Sequence, residues 1–249
     1  MTDTIRFKIK RQDKPESSPY WQEFEIPYKT GHNVVSALMA IRETSVTVDG
    51  KTVEPVVWEC NCMEEVCGAC TMVINGMVRQ SCSALIDDLE QPIVLEPMSK
   101  FPVVRDLMVD RSRMFENLVK VKAWIDTDGN WDINQGGPRI SQEEWEDNYI
   151  FSRCMTCGCC LEVCPQFSID NDFVGAQIIG QVQSKNAHPT GAYKSEDRLH
   201  ALMKKGGIAE CGNAQNCVEV CPKDIPLTKG IAKAGRQVTG QMVKDWFKK

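Results

Sequence analysis

The chain has 249 residues, of which 42% are hydrophobic and 25% charged, and it carries 13 cysteines against only 3 histidines. A chain of this length buries a core without covalent staples, so disulfides are not needed for size, and an odd number of cysteines cannot all pair internally. The net charge of −5 is the wrong sign for a protein that coats nucleic acid, and no run of about 18 apolar residues marks a membrane span. The opening Met1-Thr-Asp-Thr-Ile-Arg-Phe-Lys lacks the apolar stretch of a secretory signal, which predicts a reducing compartment. There, clustered cysteines point to metal or redox chemistry rather than bridges.

In chain order, Ile5–Ile9 and Glu23–Ile26 alternate apolar with polar residues and read as half-buried strands. Asn33 is a candidate cap for a helix whose Val34, Leu38 and Ile41 recur at helical spacing. Thr71–Ile74 and Met77–Arg79 flank Asn75-Gly76, a strong hairpin signal because both turn residues tolerate positive φ. Ile93–Leu95 adds a strand. Leu107, Val109, Met114, Leu118 and Val121 predict a helix from about Asp106 to Ile125. The glycines and proline of Asp126–Arg139 predict a loop, with further helices over Val174–Lys185, Asp197–Lys205 and from Leu227. The expected fold is α+β: an N-terminal β-grasp, plant-type ferredoxin domain over residues 1–105, then a mostly α-helical, bacterial-type ferredoxin domain over 106–249.

The cysteines fall into three groups. Cys62, Cys67, Cys70 and Cys82 follow the plant-type [2Fe-2S] spacing, three thiolates on one tight loop and a fourth from a neighbouring strand. Gly68 suits the wrap, because a residue without Cβ lets backbone amides approach the sulfurs. A zinc site on Cys67 and Cys70, or buried reduced thiols, is the alternative. Cys60, left over, reads as a small packed hydrophobe.

Cys154, Cys157, Cys160 and Cys164, followed by Pro165, form the bacterial ferredoxin run, whose fourth cysteine serves the other cluster of a pair. Counting back from Cys221-Pro222 by the same intervals gives Cys217, Ala214 and Cys211, a partner run with alanine in its middle position. The exchange assigns Cys154, Cys157, Cys160 and Cys221 to a [4Fe-4S] cluster and Cys164, Cys211 and Cys217 to the other. Three thiolates and an alanine favour [3Fe-4S]. A [4Fe-4S] cluster with an open iron is the rival, and Asn213 or Gln215 are alternative but poor ligands. Cys159 reads as a spectator.

Three cluster types in one chain describe a wire, and no Rossmann fingerprint or phosphate loop offers a site for an organic substrate. His32, His188 and His200 are isolated and read as surface or capping residues. In this cluster order, and with the interruption at Ala214, the chain closely resembles the iron-sulfur subunit of succinate dehydrogenase and fumarate reductase. The phrases Cys62-Met-Glu-Glu-Val-Cys67-Gly-Ala-Cys70, Arg79-Gln-Ser-Cys82 and Cys211-Gly-Asn-Ala-Gln-Asn-Cys217 look most like the menaquinone-linked bacterial form. The resemblance implies no catalytic residue on this chain and the same three ligand sets. It implies electrons entering from FAD on a flavoprotein subunit and leaving to a quinone at a cytochrome b-type membrane anchor, with haem on that partner as an option. The expected place is peripheral, on the cytoplasmic face of the bacterial membrane.

The family's quinone pocket borders the third cluster, which points to Pro165, Phe167 and Gly212. Ubiquinone-linked relatives have tryptophans after that proline and a histidine after the next ligand. Gln166-Phe167-Ser168 and Gly212 stand here instead, which favours menaquinone. Glu64 and Glu65 lie in the first loop, where they either lower a nearby potential or form a solvated surface. Val163, Phe167 and Ile169 are apolar residues for a membrane subunit or for the core, and Lys244, Lys248 and Lys249 read as a solvated helix face. Fumarate reduction, a zinc-stabilised adaptor and a heterodisulfide reductase relative are the competing readings. The single Cys211–Cys221 run argues against the last.

Overall fold

The structure, a computed structural model, describes residues 4–126 and 139–248. The chain divides into two compact units, one drawn from Met1–Arg111 and Met155–Glu162, the other from Ser112–Cys154 and Val163–Lys249. The strands are β1 (Thr4–Arg11), β2 (Tyr20–Pro27), β3 (Thr71–Ile74), β4 (Met77–Gln80), β5 (Ile93–Glu96), β6 (Val103–Arg105) and β7 (Met108–Val109). The α-helices are α1 (Val34–Thr44), α2 (Ser112–Lys120), α3 (Gln142–Ser152), α4 (Cys159–Glu162), α5 (Gly175–Ala187), α6 (Ser195–Leu202), α7 (Asn216–Glu219) and α8 (Leu227–Phe247).

In the first unit a five-stranded sheet has the order β2-β1-β5-β3-β4. β1 runs parallel to β5, and the other pairings are antiparallel. The alternation in β1 and β2 turns Ile5, Phe7, Ile9, Phe24 and Ile26 to one face, where α1 covers them with Ala37, Leu38 and Ile41. α1 starts where expected: the Ser36 amide donates to Asn33 Oδ1 at 2.9 Å and the Asn33 amide to Ser36 Oγ at 2.9 Å, a reciprocal capping box. Asn75 and Gly76, at φ 48° and 79°, close the β3–β4 hairpin as the sequence predicts.

The helix expected from about Asp106 is shorter. Val103–Arg105 and Met108–Val109 form a small hairpin, and the helix begins only at Ser112. The cause is Asp106, fully buried at φ 49° and paired with equally buried Arg11, whose Nε donates to Asp106 Oδ1 at 2.8 Å. The Asp106 carboxylate also accepts from the amides of Gln12 (3.1 Å) and Val57 (2.9 Å). Arg11 further donates to Gln22 Oε1 (2.7 Å) and the Glu54 carbonyl (3.0 Å). A left-handed residue with this many tertiary partners overrides the helical spacing around it.

In the second unit α5 is buried along most of its length and packs against α3 and α8. Close approach is built in: a Cβ on Gly230 of α8 would lie 2.6 Å from the Phe151 ring at the end of α3. α3 itself was not anticipated, although Ser141-Gln-Glu-Glu144 carries its capping-box signature and both reciprocal bonds form. Buried Arg198 gathers the carbonyls of Lys122 (2.8 Å), Trp124 (2.6 Å) and Gly191 (2.7 Å), and burial lowers its pKa. The loop expected at Asp126–Arg139 and Lys249 lie almost wholly outside the described residues.

Asp106→Ala leaves the Arg11 guanidinium buried without its counter-charge. It is expected to cost about 3 kcal/mol or more of unfolding free energy in chemical denaturation.

Candidate metal centres

The first site is assembled wholly within the first unit. Met63, Glu65 and Gly68 take φ of 61°, 53° and 70°, so the loop coils and aims its amides inward. The amides of Glu64 (3.4 Å), Val66 (3.3 Å) and Cys67 (3.3 Å) all donate to Cys62 Sγ, and the Ala69 amide donates to Cys67 Sγ at 3.4 Å. These donors pull the Cys62 thiol down to about 6, which favours the thiolate a metal needs. Cys70 goes the other way, to about 12, because burial disfavours its charge and Cys82 is its neighbour.

Cys82 is held from two sides. Asn33 Nδ2, on the cap of α1, donates to its carbonyl at 2.9 Å, and adjacent Ser83 Oγ donates to Glu65 Oε1 at 2.7 Å, back to the loop. Ser81 ties the two parts together through its amide (3.2 Å) and hydroxyl (2.8 Å), both donating to the Cys70 carbonyl. Cys60 packs against Cys70, Cys82 and Val35, the role its sequence suggests. Arg111 clamps the loop by donating to the Gly68 carbonyl at 2.7 Å and to Glu59 at 2.9 Å. No motif marks Arg111. Four converging cysteines and amides aimed at sulfur fit a [2Fe-2S] cluster.

The same unit contains Cys157 and Cys160, whereas Cys154 and Cys221 belong to the second. Gly68 is where the first loop meets Cys157: a Cβ there would lie 2.6 Å from Cys157 Cα. Cys159 is fully buried and accepts a hydrogen bond from Gln80 Nε2 at 3.2 Å. The neighbouring Cys159 thiol lowers the Cys157 pKa to about 7, and Cys157 together with burial raises that of Cys159.

The third site lies within the second unit. Cys164, Cys211 and Cys217 line one small cavity together with Ala214, Asn213 and Gln215. Asn213 and Gln215 have φ of 52° and 66° and bend the loop around Ala214. Cys217 is pushed up to about 11, first by burial and then by the nearby Cys164 and Cys211 sulfurs. Three thiols around one cavity fit an iron-sulfur cluster with three protein ligands. Pro165 and Gly212 line this cavity too, and a Cβ on Gly212 would lie 2.5 Å from Gln166 Nε2. Phe167 does not line it. It is buried with the Arg113 guanidinium 4.4 Å over its ring, so it belongs to the core, whereas Ile169 is exposed. Arg113 also fixes the loop beyond Phe167 through the carbonyls of Ser168 (2.5 Å), Asn171 (2.6 Å) and Phe173 (3.0 Å).

Two of the histidines have structural partners. His188 Nδ1 accepts from the Gly191 amide at 3.3 Å, and His200 Nε2 lies 2.8 Å from Asp245. Lys248 pairs with Glu196 at 3.3 Å.

Comparison with known proteins agrees with both cluster-bearing regions. A 2Fe-2S iron-sulfur cluster binding domain model matches residues 6–116, and a 4Fe-4S dicluster domain model matches residues 150–225. The succinate dehydrogenase iron-sulfur subunit of Bacillus subtilis is 57% identical over 244 residues, spanning 98% of this chain and 96% of its own. The fumarate reductase iron-sulfur subunits of Mycobacterium tuberculosis and Wolinella succinogenes are 31% and 30% identical, over 94% and 89% of this chain and 92% and 91% of theirs. A chain in the solved Mycobacterium smegmatis Sdh1 complex in the apo form shares the fold, with a TM-score of 0.79 at 22% identity over 97% of this chain and 98% of that one. The chain belongs to the succinate dehydrogenase and fumarate reductase iron-sulfur subunit family. It is an electron-transfer subunit of an oxidoreductase and holds iron-sulfur clusters.

Gly68→Ala places a methyl group against main chain in a left-handed residue and is expected to lose visible absorbance and acid-labile sulfide. Gly50→Ala is the control: its φ is 78° but nothing lies within 4 Å of the added carbon. It is expected to cost about 1 kcal/mol of stability and leave the absorbance intact.

Proposed function

We propose that this chain carries electrons from the FAD of a flavoprotein subunit to a quinone at a membrane-anchor subunit, in the direction of succinate oxidation. The observation that carries the reading is the order of the three cysteine sets, with Ala214 interrupting the last. Cys62, Cys67, Cys70 and Cys82 hold [2Fe-2S]; Cys154, Cys157, Cys160 and Cys221 hold [4Fe-4S]; Cys164, Cys211 and Cys217 hold [3Fe-4S]. When bound, the clusters supply one-electron redox centres.

The chain's own residues set the conditions for that chemistry. Amides of Glu64, Val66 and Cys67 stabilise negative charge at Cys62. Arg111 and Asn33 hold the two halves of the first ligand set in place. Ala214 offers no donor atom where a fourth thiolate would stand, so the third site takes one iron fewer. Exposed Met39, Met63, Val66 and Leu85 on the first unit support docking of the flavoprotein beside the first loop. Among the described residues no helix is long and apolar enough to cross a membrane. We assign attachment to the anchor subunit, at the cytoplasmic face. Pro165 and Gly212 are the residues we assign to the quinone side, and Gln166 and Gly212 in place of aromatic and histidine side chains support menaquinone. Fumarate reduction is the second reading, favoured by the relatives that bear that name.

The purified complex is expected to reduce a menaquinone analogue with succinate; absence of activity in both directions would overturn the assignment. Ala214→Cys is expected to abolish the oxidised [3Fe-4S] EPR signal by completing a four-iron site. An unchanged signal would defeat the ligand assignment of the third site.

A further inference from the structure

The peptide group joining Gly68 to Ala69, between Cys67 and Cys70, is hydrogen-bonded at both ends. Its N–H, on Ala69, donates to Cys67 Sγ at 3.4 Å. Its carbonyl, on Gly68, accepts from Arg111 Nη1 at 2.7 Å and from Thr71 Oγ1 at 2.8 Å. A guanidinium and a hydroxyl therefore polarise one end of a peptide whose other end points at a sulfur of the first cysteine set.

Both donors are themselves held. Thr71, the first residue of β3, is 4% exposed and lies opposite Gln80 in the β3–β4 register. Gln80 Nε2 donates to Thr71 Oγ1 at 3.1 Å, which occupies a lone pair of that oxygen and leaves its hydrogen for the Gly68 carbonyl. The Arg111 side chain is 15% exposed, and its Nη2 donates to Glu59 Oε2 at 2.9 Å. The Glu59 side chain is 40% exposed, so water screens its charge more than that of Arg111. All of these residues belong to the first unit. Hydrogen bonds in series strengthen one another, because each donor at the carbonyl leaves the N–H of the same peptide more positive. A charged donor does so most strongly.

We infer that Arg111 and Thr71 are positioning residues that set the reduction potential of the [2Fe-2S] cluster, acting through the Gly68–Ala69 peptide on the Cys67 sulfur. An electron entering the cluster adds negative charge that the ligand sulfurs share. A stronger N–H···S bond and a nearby positive charge both favour that reduced form and so raise the potential. Glu59 acts in the opposite sense, by partly neutralising Arg111. This role is distinct from holding the loop in place, and it rests on the assignment of Cys67 to the [2Fe-2S] ligand set made above.

The test is an EPR-monitored redox titration of the intact complex. Arg111→Gln, which keeps a neutral amide donor but loses the charge, is expected to lower the [2Fe-2S] midpoint potential and leave the [3Fe-4S] potential unchanged. Arg111→Lys, which keeps the charge, is expected to stay closer to the parent value. Thr71→Val removes only the hydroxyl donor and is expected to lower the [2Fe-2S] potential by less than Arg111→Gln, whereas Glu59→Gln is expected to raise it. These two variants carry the test should Arg111→Gln fail to assemble its cluster. An unmoved [2Fe-2S] potential in Arg111→Gln, unmoved potentials in both Thr71→Val and Glu59→Gln, or equal shifts in the glutamine and lysine variants of Arg111 would overturn the inference. Cys67→Ala separates the two readings: if it retains a normal [2Fe-2S] signal, the ligand assignment fails rather than the link through the peptide.

Discussion

Everything in this chain that bears on electron transfer depends on one constraint, that sulfur ligands carrying negative charge must be surrounded by N–H groups. A backbone directs several successive amides at a single atom only by turning sharply, and that requires residues in left-handed conformations. Met63, Glu65 and Gly68 supply those turns in the first loop, with three amides reaching Cys62 Sγ. Asn213 and Gln215 supply them around Ala214. Non-glycine residues with positive φ cost about 1–2 kcal/mol each, so such loops persist only when the surrounding structure holds them.

Buried and half-buried guanidinium groups do much of that holding. Arg11, the last residue of β1, secures the turn at Asp106, and Arg111, a few residues beyond that turn, reaches the Gly68 carbonyl. In the second unit Arg113 and Arg198 each collect three carbonyls from irregular segments. A planar fork with five donors satisfies loop carbonyls that no sheet or helix can reach.

The sheet strands, the α1 cap, the Asn75-Gly76 turn and the long helices α5 and α8 were legible because their signals are local. The helix expected from Asp106 was not, because Asp106 answers to Arg11, which lies far away in sequence. Cysteine spacing made the gathering of Cys62 with Cys67 and of Cys70 with Cys82, and that of Cys164, Cys211 and Cys217 around one cavity, readable from the chain. Arg111 carries no motif, and the Asn33 bond to the Cys82 carbonyl does not follow from its cap signal, because both depend on contacts across tens of residues. Phe167 was placed beside a quinone on its sequence neighbours, and Arg113 draws it into the core.

The central claim is that eleven of the thirteen cysteines build three clusters of different nuclearity. Mössbauer spectroscopy of the intact complex, grown on isotopically enriched iron, tests it most directly. The account predicts three distinct contributions in the oxidised complex, from a two-iron, a three-iron and a four-iron cluster. A spectrum with two four-iron contributions and no three-iron one, or a complex containing zinc in place of iron, would contradict it.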